Sequence, residues 1–230
     1  MQYKQIFEDF KDSSIQYETQ TEWSKEESPA LKMSHLKYPV SIKEKEAETL
    51  INMILENNLK SGFEVATGFG ISATMAGLAF KKTGGRLITV DAYIEEVLKD
   101  PNIYKNQQFN AVQDSDGFKS VKQLLSKYDL NDIVTPVIGV SPRDIESIFS
   151  KYGIKKLDYA FIDGGHWDEA VTADLNALYP YLSEGAFVFF HDVHCLNHAV
   201  GYAERLLKGS MNLLVAPPNG WNLSYIRMSK

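Results

Sequence analysis

The sequence has a single cysteine, Cys195, among its 230 residues. One thiol cannot close an internal disulfide, which fits a reducing compartment and leaves stability to an apolar core. No segment approaches the roughly 18 consecutive apolar residues of a membrane-spanning helix. The opening stretch, MQYKQIFEDFKD, lacks the apolar run of a secretory signal. Neither a basic run nor a basic stripe is present, and the formal net charge is -6. Both argue against general nucleic-acid binding and against an anionic membrane surface as partner. Internal repeats and low-complexity tracts are also missing. Together these absences point to a soluble, cytoplasmic protein.

What is there is an ordinary globular composition, 44% hydrophobic and 23% charged. A chain of this length buries roughly 75% of its unfolded surface, so one large domain, or one domain with an arm, is expected. Residues 1–40 are polar and irregular, with Pro29 and Pro39 as breakers, and read as an N-terminal arm or lid. Phe7 and Phe10 in this arm would suit a homodimer contact, and Trp23, His35 and Tyr38 would suit a contact with substrate. Residues 41–230 carry the periodic pattern of a folded domain.

Ser41 and Glu44 form an S-x-x-E capping box, and Ala47, Leu50, Ile51, Ile54 and Leu55 recur at helical spacing. The spacing predicts a strand over 63–66, a glycine turn over 67–70, a helix over 71–80 and a strand over 86–90 that ends at Asp91. Residues 93–116, with Tyr93 and Tyr104, are weakly patterned and too long for an ordinary connection. A helix over 118–128 and a strand over 133–138 follow. Ser141 and Pro142 then open a helix that runs to about residue 152. Next come a strand over 157–162, a helix over 167–182 stopped by Gly185, a strand over 186–190 and a helix over 195–207. Two strands, 213–216 and 223–228, close the chain around Pro217-Pro218-Asn219-Gly220. Alternating strands and helices predict an α/β, doubly wound, mostly parallel sheet, and the two closing strands predict a C-terminal antiparallel hairpin.

Ligands of such a sheet bind at the carboxyl ends of its strands. Acids and histidines gather there: Asp163 and His166 after one strand, His191, Asp192 and His194 after the next. The loop after the first strand, E64-V-A-T-G68-F-G70, lets backbone approach a ligand and opens a helix whose amides face it. Asp91, at the tip of the second strand, suits the two hydroxyls of a ribose. Gly68-Phe-Gly70-Ile-Ser-Ala73 also fits the dinucleotide pattern G-x-G-x-x-A. An NAD-linked oxidoreductase and a non-catalytic cofactor-binding domain therefore stand as alternatives, beside glycines that merely make a turn. Glu64, inside the strand, suits instead a ligand carrying an ammonium group.

The segments EVATGFG, ITVDAY, VIGVSP, FIDGGHWDEAVTADL and LSEGAFVFFHDV, with the closing hairpin, resemble the class I S-adenosylmethionine-dependent methyltransferases. FIDGGH with FHDV resembles a bacterial subfamily related to the catechol and sugar O-methyltransferases. The resemblance covers about residues 41–230 and implies a seven-stranded Rossmann-like sheet. It also implies methyl transfer from a sulfonium to an oxygen of a small hydroxylated acceptor, a sugar or secondary metabolite. Carried over by position, Glu64, Ala66, Gly68 and Gly70 would hold the methionine part of the cofactor, with Ser72 helping at the helix start. Asp91 would hold the ribose, Gly139 and Val140 would flank the adenine, and Asp163 would close the pocket. Ala66 stands where the family has its first glycine.

The acceptor hydroxyl must lose its proton as it attacks, to a nearby side chain or with help from a divalent metal. Metal-dependent relatives place an acid after the fourth strand and an acid pair after the fifth. Here these positions read Asp163 and His191-Asp192, a set that suits Mn²⁺, Fe²⁺ or Zn²⁺ better than Mg²⁺ because of the imidazole. His166 and Asp163 are the candidate catalytic residues. His194 and His198 lie further along, and Trp167 suits either adenine stacking or the core.

Overall fold

The computed structural model describes residues 6, 42–93, 111, 113, 115–216 and 222–229. Seven strands make one sheet: β1 (Ser61–Val65), β2 (Arg86–Asp91), β3 (Val134–Ile138), β4 (Leu157–Ile162), β5 (Leu182–Phe190), β6 (Asn212–Val215) and β7 (Leu223–Arg227). Their order is β3-β2-β1-β4-β5-β7-β6. The first five are parallel, and β7 runs antiparallel to both of its neighbours, as the sequence pattern predicts. Among the described residues six helices accompany them: α1 (Glu44–Glu56), α2 (Ile71–Thr83), α3 (Asp116–Lys127), α4 (Ile145–Tyr152), α5 (Asp168–Leu178) and α6 (Ala199–Leu207). Among the described residues no helix is long and apolar enough to cross a membrane.

Strand side chains alternate between two cores. Phe161, Phe187 and Phe189 pack with α1, α2 and α3, while Ala160, Ile162, Val188 and Phe190 pack with α4, α5 and α6. Ile6 is buried in the first core. The rest of the proposed arm, with Phe7, Phe10, Trp23, His35 and Tyr38, lies outside the described residues, as do Tyr104 and the turn at 217–220.

Register sets the carboxyl edge. Val65 pairs with Val90 and with Ile162, and Ile162 pairs with Phe190. The residues one step further, Ala66, Asp91, Asp163 and His191, therefore stand in one row. Continuing the alternation of β4 and β5, Asp163 and His191 fall on the side of Phe161 and Phe189, which is the side of α1.

Four local expectations change. Helix α1 begins at Glu44, and the Lys43 amide donates to Glu46 Oε2 at 2.9 Å, so Glu46 rather than Glu44 reaches back. Ser41 lies outside the described residues. Ser141 does not cap α4, because its hydroxyl donates to the buried Asp174. Helix α5 stops at Leu178, where Tyr179–Tyr181, with Pro180, makes a single 3-10 turn. Gly185 then sits inside β5 at φ +77°, where the register with β4 shifts, rather than ending a helix. Helix α6 starts only at Ala199, since Asp168 Oδ1 accepts the amides of Asn197, His198 and Ala199 at 3.0, 2.9 and 2.8 Å and fixes its first turn there.

Two stability predictions follow from this frame. Asp174 is fully buried, and among the described residues only one of its oxygens has a partner. Burial pushes its carboxyl up to about 7, against the lowering effect of the Ser141 hydroxyl. Between its ordinary value near 3.8 and that raised value, the folded state keeps a proton that the unfolded chain has lost, so stability falls as pH rises. Asp174→Asn should flatten this slope, by roughly 1–4 kcal/mol between pH 4 and 8, in urea titrations at several pH values; an unchanged slope would refute it. Ala66 adopts φ +72°, a strained region for a residue with a Cβ. Ala66→Gly should raise stability by about 0.5–1 kcal/mol, and a lower unfolding midpoint would contradict this.

Candidate active site

Glu64 occupies the last turn of pleat in β1 and is fully buried. The Ser72 hydroxyl, in the first turn of α2, donates to its Oε1, while Oε2 has no hydrogen-bond partner among the described residues. Burial pushes the Glu64 carboxyl up to about 8; the Ser72 hydrogen bond opposes this, and repulsion from Asp163 and Asp91 adds to it. The glycine loop above is shaped by two different needs. At Gly70, φ +90°, a Cβ would lie 2.9 Å from Val121 Cγ2, so only glycine lets α2 pack on α3. At Gly68 a Cβ would meet nothing within 4 Å among the described residues.

Asp91 clasps this loop. Its Oδ2 accepts the Gly68 amide and its Oδ1 the Tyr93 amide, each at 2.7 Å. Burial raises its carboxyl, with those backbone hydrogen bonds pulling the other way. Each carboxylate oxygen keeps a second lone pair for a ligand. Tyr93 is buried against Phe118, with ring centroids 5.7 Å apart. Gly139 donates to the Asp91 carbonyl at 2.9 Å, and the Val140 amide donates to Asp144 Oδ2 at 2.8 Å, so the β3 tip is tied to the same edge. The residues expected to bind a cofactor thus form one cradle: Glu64, Ala66, Gly68, Gly70, Ser72 and Asp91, with Gly139 and Val140 beside it.

The adjoining tips of β4 and β5 hold the second group. His191 is buried, with Nδ1 2.9 Å from Asp163 Oδ1 and 3.3 Å from Asp192 Oδ2, and Nε2 3.3 Å from Glu46 Oε1. None of these approaches is aligned as a hydrogen bond. Burial would lower the pKa of the imidazole, but attraction to Asp163, with Asp192 and Glu46 adding, carries it well above its ordinary value. Asp163 falls to about 2, because the His191 and His166 imidazoles outweigh its own burial. His166 is 41% exposed, with Nδ1 3.3 Å from Asp192 Oδ2 and Nε2 3.8 Å from Asp163 Oδ1. Its pKa is raised: burial acts downward, and the two carboxylates prevail. Asp192 sits at φ +52°, a conformation that Asp adopts more readily than most residues.

Asp163, His191 and Asp192 each present a ligand atom within 4.8 Å of the others. Two acid oxygens and one imidazole nitrogen so close form a donor set for a divalent cation. His194 is exposed, with Nδ1 3.9 Å from Asp192 Oδ1, and stands outside this cluster. His198 is exposed. Trp167 is half-buried beside Gly165. Glu46 is the functional candidate absent from the sequence reading. An acid four residues before Leu50, on the apolar stripe of α1, was the available signal.

Comparison with known proteins fits this geometry. An O-methyltransferase from Bacillus cereus, solved in complex with SAH, superposes with a TM-score of 0.62 at 11% identity, covering 99% of this chain and 90% of that one. The O-methyltransferase TomG from Streptomyces achromogenes, involved in tomaymycin synthesis and solved with SAM, gives 0.62 at 12% identity, with 87% and 86% covered. A methyltransferase from Geobacter sulfurreducens gives 0.55 at 16% identity, with 80% and 78% covered. At these identities the likeness concerns the fold. The family described as "Methyltransferase domain" matches residues 63–193, a span that contains the glycine loop, Asp91, and both the Asp163 and Asp192 tips. The chain belongs to that methyltransferase family.

Proposed function

We propose that the protein is an S-adenosylmethionine-dependent O-methyltransferase acting on a small hydroxylated acceptor such as a sugar or secondary metabolite, with a divalent metal at the Asp163–His191–Asp192 group. The observation that carries the cofactor reading is the buried Glu64, at the end of the strand that leads into the Gly68 loop, whose Oε2 lacks a partner among the described residues. A buried acceptor without a donor costs about 1–3 kcal/mol, and a ligand ammonium would supply the missing donor. The pyrophosphate of a dinucleotide brings no cation to such a carboxyl and would oppose its ionisation, which disfavours the NAD reading.

S-adenosylmethionine supplies an electrophilic methyl on sulfur, and a divalent cation supplies Lewis acidity that lowers the pKa of an acceptor hydroxyl. The chain's own contribution is positioning and proton handling. Glu64 would receive the ammonium end, Asp91 the ribose hydroxyls, and Gly139 and Val140 would border the adenine. Asp163 stands between cradle and cluster, close enough to Glu64 to raise its pKa. Asp192 faces Nδ1 of His166 at 3.3 Å and Asp163 faces Nε2 at 3.8 Å, so His166 would hand an acceptor proton into this carboxylate pair.

Calorimetry tests the cofactor reading. At pH 7 Glu64, raised to about 8, is mostly protonated; pairing with an ammonium favours the carboxylate. Binding should therefore release close to one proton, seen as a heat that differs between buffers of different ionisation enthalpy, and affinity should rise as pH approaches 8. Asp91→Ala should weaken binding roughly 10–100-fold. Absence of binding by the wild type would refute the proposal, and proton uptake would refute the role of Glu64.

A further inference from the structure

Glu46 is fully buried although it carries a carboxyl group, and it lies on the stripe of α1 that also buries Ala47, Leu50, Ile51 and Ile54. Burying such a group is costly unless it is paired. One oxygen is held by the Lys43 amide at the start of the helix, at 2.9 Å, where the helix dipole favours a negative group. That bond anchors the side chain. The other oxygen approaches His191 Nε2 at 3.3 Å, within ion-pair reach although not aligned as a hydrogen bond. The His191 ring meets Phe161 edge-on, at 6.2 Å between centroids, and is buried, so its orientation is set by what flanks it rather than by water.

On the other side of that ring, two carboxylate oxygens converge on the single atom Nδ1, at 2.9 and 3.3 Å. One N–H cannot serve both well, and neither contact is aligned as a hydrogen bond. A cation shared by the three atoms satisfies all of them, provided that Nδ1 offers its lone pair and the proton sits on Nε2. A carboxylate on the far nitrogen of a metal-ligating histidine fixes that tautomer and raises the basicity of the ligand.

We infer that Glu46 is a positioning residue: it holds His191 in the Nε2–H form and so presents Nδ1 to a divalent cation bound with Asp163 and Asp192. This rests on the metal reading above and adds a residue from α1, outside the span matched by the family. It also accounts for an acid on an otherwise apolar helix face.

Cobalt(II) titration of the full-length protein, followed by its visible absorption bands, tests the inference. Glu46→Leu removes the acceptor and should weaken cobalt binding 10–100-fold. Glu46→Gln keeps an amide oxygen for Nε2–H and should recover most of the loss. Cofactor affinity should stay unchanged in both, since Glu46 does not touch the Glu64–Asp91 cradle. Equal cobalt affinity in wild type and Glu46→Leu would overturn the role of Glu46 while leaving the metal site standing. No cobalt binding by the wild type would overturn the metal reading and this inference with it. Should Glu46→Leu fail to fold, ¹⁵N NMR of the zinc-loaded wild type decides: coordination through Nδ1 with a protonated Nε2 supports the inference, and coordination through Nε2 refutes it.

Discussion

The structure is governed by the crowding of carboxylates at the carboxyl edge of a parallel sheet. Glu64, Asp91, Asp163 and Asp192 come from four neighbouring strand tips, and Glu46 joins them from α1. Moving charges out of water costs several kcal/mol each unless they are matched. His191 and His166 match part of this burden, and backbone amides on Asp91 match more. Glu64 is left with an oxygen that nothing in the described residues satisfies. A site with surplus buried acid is a site for positively charged ligands. A sulfonium cofactor with an ammonium tail and a divalent metal are both of that kind.

The sheet makes this crowding possible. Register aligns Ala66, Asp91, Asp163 and His191 in one row, and strand alternation decides which core each side chain meets. Phe161 and Phe189 carry the α1 side, so Asp163 and His191, two steps beyond them, fall on that side, and His191 meets Glu46 there. Aromatic packing below the edge, such as Tyr159 against Phe80 and Phe189, holds the strands rigid beneath the polar layer. The proposed site is thus a set of strand ends above an apolar aromatic base.

Much of this was legible in the sequence because it is local. The run LDYAFID reads as a buried strand ending in an acid, and β4 spans Leu157–Ile162 as expected. The glycine loop and Asp91 lie within one strand–helix–strand unit, so their meeting needs no long-range information. Other features depend on contacts far apart in the chain. Ser141 looks like a helix cap until Asp174, from another helix, claims its hydroxyl. Gly185 looks like a helix stop because the shift in pairing between β4 and β5 leaves no local mark. Glu46 looks like one more polar residue near a helix start, since its partner His191 is brought to it only by the complete sheet.

The most direct test of the account is a crystal structure of the protein with S-adenosylhomocysteine and Mn²⁺, with anomalous data collected at the manganese edge. The account predicts the ligand's ammonium group on Glu64, its ribose on Asp91, and an anomalous peak ligated by Asp163, Asp192 and His191 Nδ1. Ligand bound away from Glu64, or a His191 ring still wedged between the carboxylates with no anomalous peak beside it, would contradict it.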